Sequence, residues 1–192
     1  MNVNILLDIN KGQPTGSEPV TTAEVKAQLK ITFTADDALI EALIPVARDM
    51  IEQYTGVSIV QRKVAVVAKM AGSWMELPYG PVDPASVVVS TVGIGGSTPE
   101  TVETDAYSLI GTGFVSILMN NVIPAFGDPG IDTCWPFGIV YDAGYTDLPP
   151  NLRGAVLHQA VYLYEHRGDE NDIDGMSPTA MALAKLYRRV VI

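Results

Sequence analysis

Two histidines, one cysteine, a glycine-rich turn and a run of acidic side chains are the places in this 192-residue sequence where chemistry could be sought. His158 and His166 stand eight residues apart. A zinc pair on one helix face needs a four-residue step, and no thiolate cluster accompanies them, so structural or surface roles are expected. Cys134, beside Trp135, lacks the neighbours that mark a nucleophilic thiol and is expected to be a buried or loop cysteine. The stretch "GIGGST" at 93–98 has neither the lysine nor the following helix of a phosphate loop, and is expected to be a hairpin turn. Glu170, Asp172, Asp174 and Gly175 imitate the opening of a calcium loop. The twelfth position of such a loop needs a bidentate glutamate; Met181 stands there, so the segment is expected to be a solvated loop. "RGD" at 167–169 marks a helix end. No catalytic set, metal site or cofactor motif emerges.

Composition narrows the classes further. The chain is 47% hydrophobic with a net charge of -10, which suits an acidic globule and excludes a basic nucleic-acid footprint. The balance is uneven: residues 1–56 carry 4 basic and 8 acidic side chains, 57–148 carry 3 and 9, and 149–192 carry 5 and 5. A single cysteine allows no internal disulfide. The apolar run Ile5–Leu7 has no basic leader and is interrupted by Asp8, so no signal peptide is expected, and no apolar stretch approaches a membrane span. The opening segment to Pro19, with "KGQPTGSEP", is rich in breakers and is expected to be an arm or loop.

These groups must be positioned by elements, and the spacing of apolar residues predicts them. Thr21 and Glu24 fit a capping box opening a helix through Leu29. "DDALIEALIPVARDMIEQYTG", Asp36 to Gly56, predicts a longer helix capped by Thr34 and stopped by Gly56. Leu39, Leu43, Ala47, Met50, Ile51 and Tyr54 form its expected inner stripe; Asp37, Glu41, Pro45, Arg48 and Glu52 form the wet face. A proline there would bend the helix convex to solvent without breaking it. From Gly56 onward the period becomes two. "RKVAVVAKM" alternates, and further strands are expected at Val87–Val92, Tyr107–Ile110, Phe114–Met119 and Phe137–Tyr141. At Pro149 the helical period returns. One helix is apolar nearly all round from Ala155 to Leu163; Ser177 and Pro178 then open a last helix with an apolar stripe from Ala180 to Val190.

The order of these motifs resembles the head–tail connector (adaptor, or head-completion) proteins of tailed bacteriophages. The resemblance lies in "VTTAEVKAQLKI" with "DDALIEALIPVARDMIEQYTG", in "LPPNLRGAVLHQAVYLYEHRGD", and in the closing "SPTAMALAKLYRRV". "WMELPYGPV", "YSL" and "WPFGIVYDAGY" are similar to the longer variant with strands inserted between the helices. Pro45 departs from it, where such proteins usually keep a helix former. The expected fold is α+β: one connector domain over 1–192, with a small helical bundle at 20–56 and 149–192. The β insertion, mostly antiparallel, takes 57–148, and 1–19 is an N-terminal arm.

The resemblance implies a structural virion protein in the neck at the portal vertex, assembled in the host cytoplasm, without catalysis or cofactor. It implies a ring with the portal's dodecameric symmetry, joined to the portal protein and to a stopper or tail-completion protein, with DNA passing through the lumen unbound. An acidic wall suits that passage, because it repels phosphates. The alternative is a small-ligand binding module or enzyme with a pocket in the β insertion. Surplus apolar surface points to Trp74, Tyr79, Tyr162 and Tyr164 as subunit-interface residues. The closing segment ends on three aliphatic residues beside basic ones. With the resemblance, that makes Lys185, Tyr187, Arg188, Arg189, Val190, Val191 and Ile192 the expected portal contact.

Overall fold

The computed structural model describes residues 5–69, 74–91, 100–119, 136–167 and 175–189. Its elements run β1 (Ile5–Pro14), α1 (Thr22–Leu29), α2 (Asp37–Thr55), β2 (Arg62–Lys69), β3 (Trp74–Glu76) and β4 (Val88–Thr91). They continue through β5 (Tyr107–Ile110), β6 (Ser116–Met119), β7 (Pro136–Ala143), α3 (Pro150–Glu165) and α4 (Pro178–Ala184). The architecture is α+β, and the chain divides into two compact units: residues 1–15 with 61–144, and 16–60 with 145–192.

In the β unit, one antiparallel sheet has the order β1-β2-β7-β4 and the other the order β3-β6-β5. The alternation expected of "RKVAVVAKM" holds from Lys63 to Ala68, and Met70 lies outside the described residues. Val64, Val66 and Ala68 are buried, while Lys63 is exposed and Ala65 and Val67 lie half-covered. Phe137, Ile139 and Tyr141 of β7 join them, and Met75, Tyr107 and Ile117 of the smaller sheet close the same core. One expectation fails here: the supposed arm contains strand β1, which pairs along β2 with irregularities between Leu6 and Asp8 and between Lys11 and Pro14. An edge strand tolerates Gly12 and Pro14, since one side of its ladder needs no amide donors. Gly12 is also needed sterically, because a Cβ there would come within 2.5 Å of the Lys63 carbonyl oxygen.

In the helical unit the local signals act as read. Thr21 accepts from the Glu24 amide while Glu24 accepts from the Thr21 amide, completing the capping box. Helix α2 runs unbroken through Pro45 and ends at Gly56, whose φ of 73° is the left-handed stop. Its N-cap, however, is Asp36 rather than Thr34, without a side-chain cap bond. The phase of the inner stripe also differs from the expected one. Ile40, Ile44, Ala47 and Ile51 are buried, Leu39 is exposed, and Arg48 and Glu52 turn inward. Ile40, Ile44, Ala47 and Ile51 pack with Leu152, Ala155, Val156 and Ala160 of α3 and with Ala180 and Ala184 of α4.

Candidate assembly surfaces

The placement of the closing segment begins with a buried amide. Gln159 of α3 is fully enclosed; its Nε2 donates to the Gly175 carbonyl at 2.6 Å, and its Oε1 accepts from the Ser177 amide at 2.8 Å. That pair of bonds pins the entrance of α4 to α3. Ser177 then caps α4, its hydroxyl accepting from the Ala180 amide. After Ala184 the helix tightens to a 3-10 turn, Lys185–Tyr187, and Arg188 leaves helical geometry with ψ of 120°. The Arg189 amide donates to the Thr55 carbonyl at 2.8 Å, and the Arg188 guanidinium lies 5.4 Å from the Tyr54 ring centroid. Cations beside the last turn of α2 meet the negative end of its dipole.

The expected portal residues are therefore not equivalent. Lys185 and Arg188 are exposed, Tyr187 is half-buried against the helical core, and Arg189 is held by α2. Val190, Val191 and Ile192 lie outside the described residues. Leu186 was not singled out from the sequence, yet it is 75% exposed. Burial beside the Tyr187 phenol raises the Tyr145 hydroxyl above its ordinary value, burial being the larger cause.

The expected interface residues also differ among themselves. Trp74 is 56% exposed on β3, opposite Leu118 of β6. Tyr79 is half-buried with φ of 56°, and the Lys11 ammonium lies 5.2 Å from its ring. Tyr162 is half-buried and stacks on His166 with ring centroids 4.0 Å apart; the His166 Nδ1 lies 2.9 Å from the Tyr162 carbonyl oxygen. Tyr164 is enclosed by its own unit: its hydroxyl bonds Asp36, and the Arg167 guanidinium lies 4.2 Å from its ring. Tyr164 has little surface left for a neighbour.

Arg48 and Glu52, expected on the wet face of α2, lie inside. Arg48 donates from Nε to Glu18 at 2.9 Å and from Nη1 to Glu52 at 3.2 Å. Glu52 Oε1 accepts from the Ile59 amide at 2.8 Å. The cluster joins α2 to the segments entering and leaving the helical unit. Its spacing in sequence looks like an exposed i,i+4 pair, so only the stricter stripe of Ile40, Ile44 and Ile51 could have signalled its true phase.

Of the groups first considered for chemistry, His158 is half-buried on α3 and Met181 half-buried on α4. Cys134, the "GIGGST" turn, and Glu170, Asp172 and Asp174 lie outside the described residues. Among the described residues no group of three histidine, cysteine, aspartate or glutamate side chains could hold a metal. No described helix is long and apolar enough to cross a membrane. Large apolar side chains stand exposed on both units, among them Trp74, Val88 and Ile110 on one and Phe33, Leu39, Val46 and Leu186 on the other.

Comparison with known proteins bears on what that surface is for. Residues 20–83 match the family model described as "Phage gp6-like head-tail connector protein". This chain resembles the head–tail connectors. The matched third of the chain includes α1, α2 and β2, so the resemblance drawn from "VTTAEVKAQLKI" and the α2 motif holds. The fold of nearly the whole chain is matched by solved structures. One is titled "Virion of native gene transfer agent (GTA) particle", at 21% identity and a TM-score of 0.75. Another is "Neck of empty GTA particle computed with C6 symmetry", at 22% and 0.73. A third, "Neck of native GTA particle computed with C12 symmetry", is at 23% and 0.67. In each case 97% of this chain and 97% of that chain are covered. No curated protein matches.

Proposed function

We propose that this chain is a structural subunit of the neck of a tailed-phage-like particle, and that it is not an enzyme. In this reading copies form a ring, with twelve-fold symmetry inherited from a portal, that joins the capsid portal to a stopper or tail-completion protein. DNA passes through the lumen without specific binding. The observation that carries the reading is the agreement of fold with neck subunits over 97% of both chains, together with the connector match at 20–83. The net charge of -10 supports a wall that does not retain phosphates.

The portal contact is assigned to the segment Arg188 to Ile192, whose first residue, Arg188, has already left helical geometry. Trp74, with Tyr79 near it in sequence, and Tyr162 are assigned to contacts between subunits. Mixing the protein with its cognate portal, followed by electron microscopy, tests the whole reading. A closed extra ring below the portal is the expected image. Portals that stay bare at saturating protein would reject it and return attention to a ligand-binding role for the β unit.

A further inference from the structure

Two surfaces of the helical unit are left open by the contacts described above. The first is the outer side of α2. Leu39, Ala42 and Val46 follow at steps of three and four, so they share one face. All three are exposed, Leu39 by 41% and Val46 by 48%. The adjoining ridge carries Glu41, Pro45 and Asp49 at steps of four, which gives the apolar strip an acidic border. The second surface is the turn after α4. Leu186, the most exposed large apolar side chain among the described residues, sits beside exposed Lys185. The bond from the Arg189 amide to Thr55 places this turn near the far end of α2. Val46 and Thr55 are separated by about 14 Å along the helix axis, so one subunit can use both surfaces at once.

We propose that these surfaces are the two halves of one contact between neighbouring copies of this chain. Leu186 and Lys185 of one copy rest on the Leu39–Ala42–Val46 strip and the Glu41/Asp49 border of the next. The inference rests on the ring reading above and names the surface that closes the ring. Charge selects the occupant. Copies carrying a net charge of -10 repel one another, so their association needs a local match of opposite signs. The acidic strip finds that match on the Lys185–Leu186 turn. Pairing like patches about a two-fold axis would instead set acid against acid. Unlike halves make a heterologous contact, in which each copy offers one half to either neighbour, and such contacts close into rings when the rotation allows. Lys185 and Leu186 thus serve the neighbouring subunit, and Arg188 to Ile192 remain for the portal.

The test uses full-length protein added to portals, with rings counted by electron microscopy and fold checked by circular dichroism and melting. Leu186→Asp and Val46→Asp are expected to keep the wild-type fold and to reach portals without closing rings. Glu41→Lys and Lys185→Glu, each alone, are expected to lower ring counts about tenfold by setting like charges together. Both reversals in one chain are expected to restore them. If an α2 variant melts early, the charge pair decides, because both of its members are exposed. Normal rings from both aspartate variants, or no recovery in the double reversal, overturn this contact while wild-type rings keep the ring reading intact. Absence of wild-type rings overturns the ring reading itself.

Discussion

Arg48 and Glu52, one helical turn apart on α2, form an ion pair inside the helical unit, with Arg48 Nη1 3.2 Å from Glu52 Oε2 and the Glu52 side chain fully buried. Glu52 uses its other oxygen to accept from the Ile59 amide just past the helix stop. The pair thereby fixes how the chain turns away from α2. Removing Glu52 takes one of two carboxylate partners from Arg48, leaving Glu18, and takes the acceptor from the buried Ile59 amide.

Glu52→Ala is therefore expected to destabilise the protein by about 1–3 kcal/mol, the usual cost of a buried donor left unsatisfied. Glu52→Gln keeps an acceptor for the Ile59 amide and should cost less. Urea unfolding of the two variants, compared with wild type, measures both. Equal losses would mean that the amide bond contributes nothing.

Pro45 lies half-buried in an unbroken α2. Pro45→Ala returns the amide that can bond the Glu41 carbonyl, and is expected to raise stability by up to about 3 kcal/mol. Thermal melting reads the gain. A lower melting temperature would mean that the packing of α2 depends on the proline.

Tyr164 and Trp74 should behave oppositely when replaced by aspartate. Tyr164 is 7% exposed and bonds Asp36, so Tyr164→Asp brings a carboxylate into a covered site beside another and should unfold the helical unit. Trp74 is 56% exposed, so Trp74→Asp should melt close to wild type while affecting assembly. Tyr164→Phe, which loses only the bond to Asp36, should cost about 1.5–3 kcal/mol. Circular dichroism melts of the three variants give the comparison.

Acid should loosen the first helix. The Thr21 backbone amide, then Arg153 and the Thr21 hydroxyl, hold the Glu24 carboxyl below its ordinary 4.5. A group depressed in the folded state stabilises above its unfolded pKa, and that contribution fades as pH falls through the lower folded value. Glu24 is open to solvent, so screening keeps the effect small. Urea midpoints measured from pH 6 down to pH 3 should fall less steeply in Glu24→Gln than in wild type. Parallel curves would remove Glu24 from the acid response. Thr21→Ala, which loses the cap, is expected to cost about 0.5–2 kcal/mol at neutral pH.

Most of the secondary structure was legible in the sequence because its signals act within a turn or two of chain. The Thr21–Glu24 box, the stop at Gly56, the cap at Ser177 and the alternation of Val64, Val66 and Ala68 each need no distant partner. Three features depended on distant contacts and were misplaced or missed. Strand β1 exists because β2 offers it a ladder edge, which outweighs the breakers Gly12 and Pro14. Arg48 and Glu52 face inward because each neutralises the other there, whereas side-chain type alone ranks them as surface residues. Leu186 stands out in solvent on a 3-10 turn held to α2 by the Arg189 amide bond to Thr55, and its large apolar side chain there was not singled out. Local propensity reports what a segment prefers to be; which of its faces turns inward is set by partners far away in the chain, through burial and charge pairing that no short window contains.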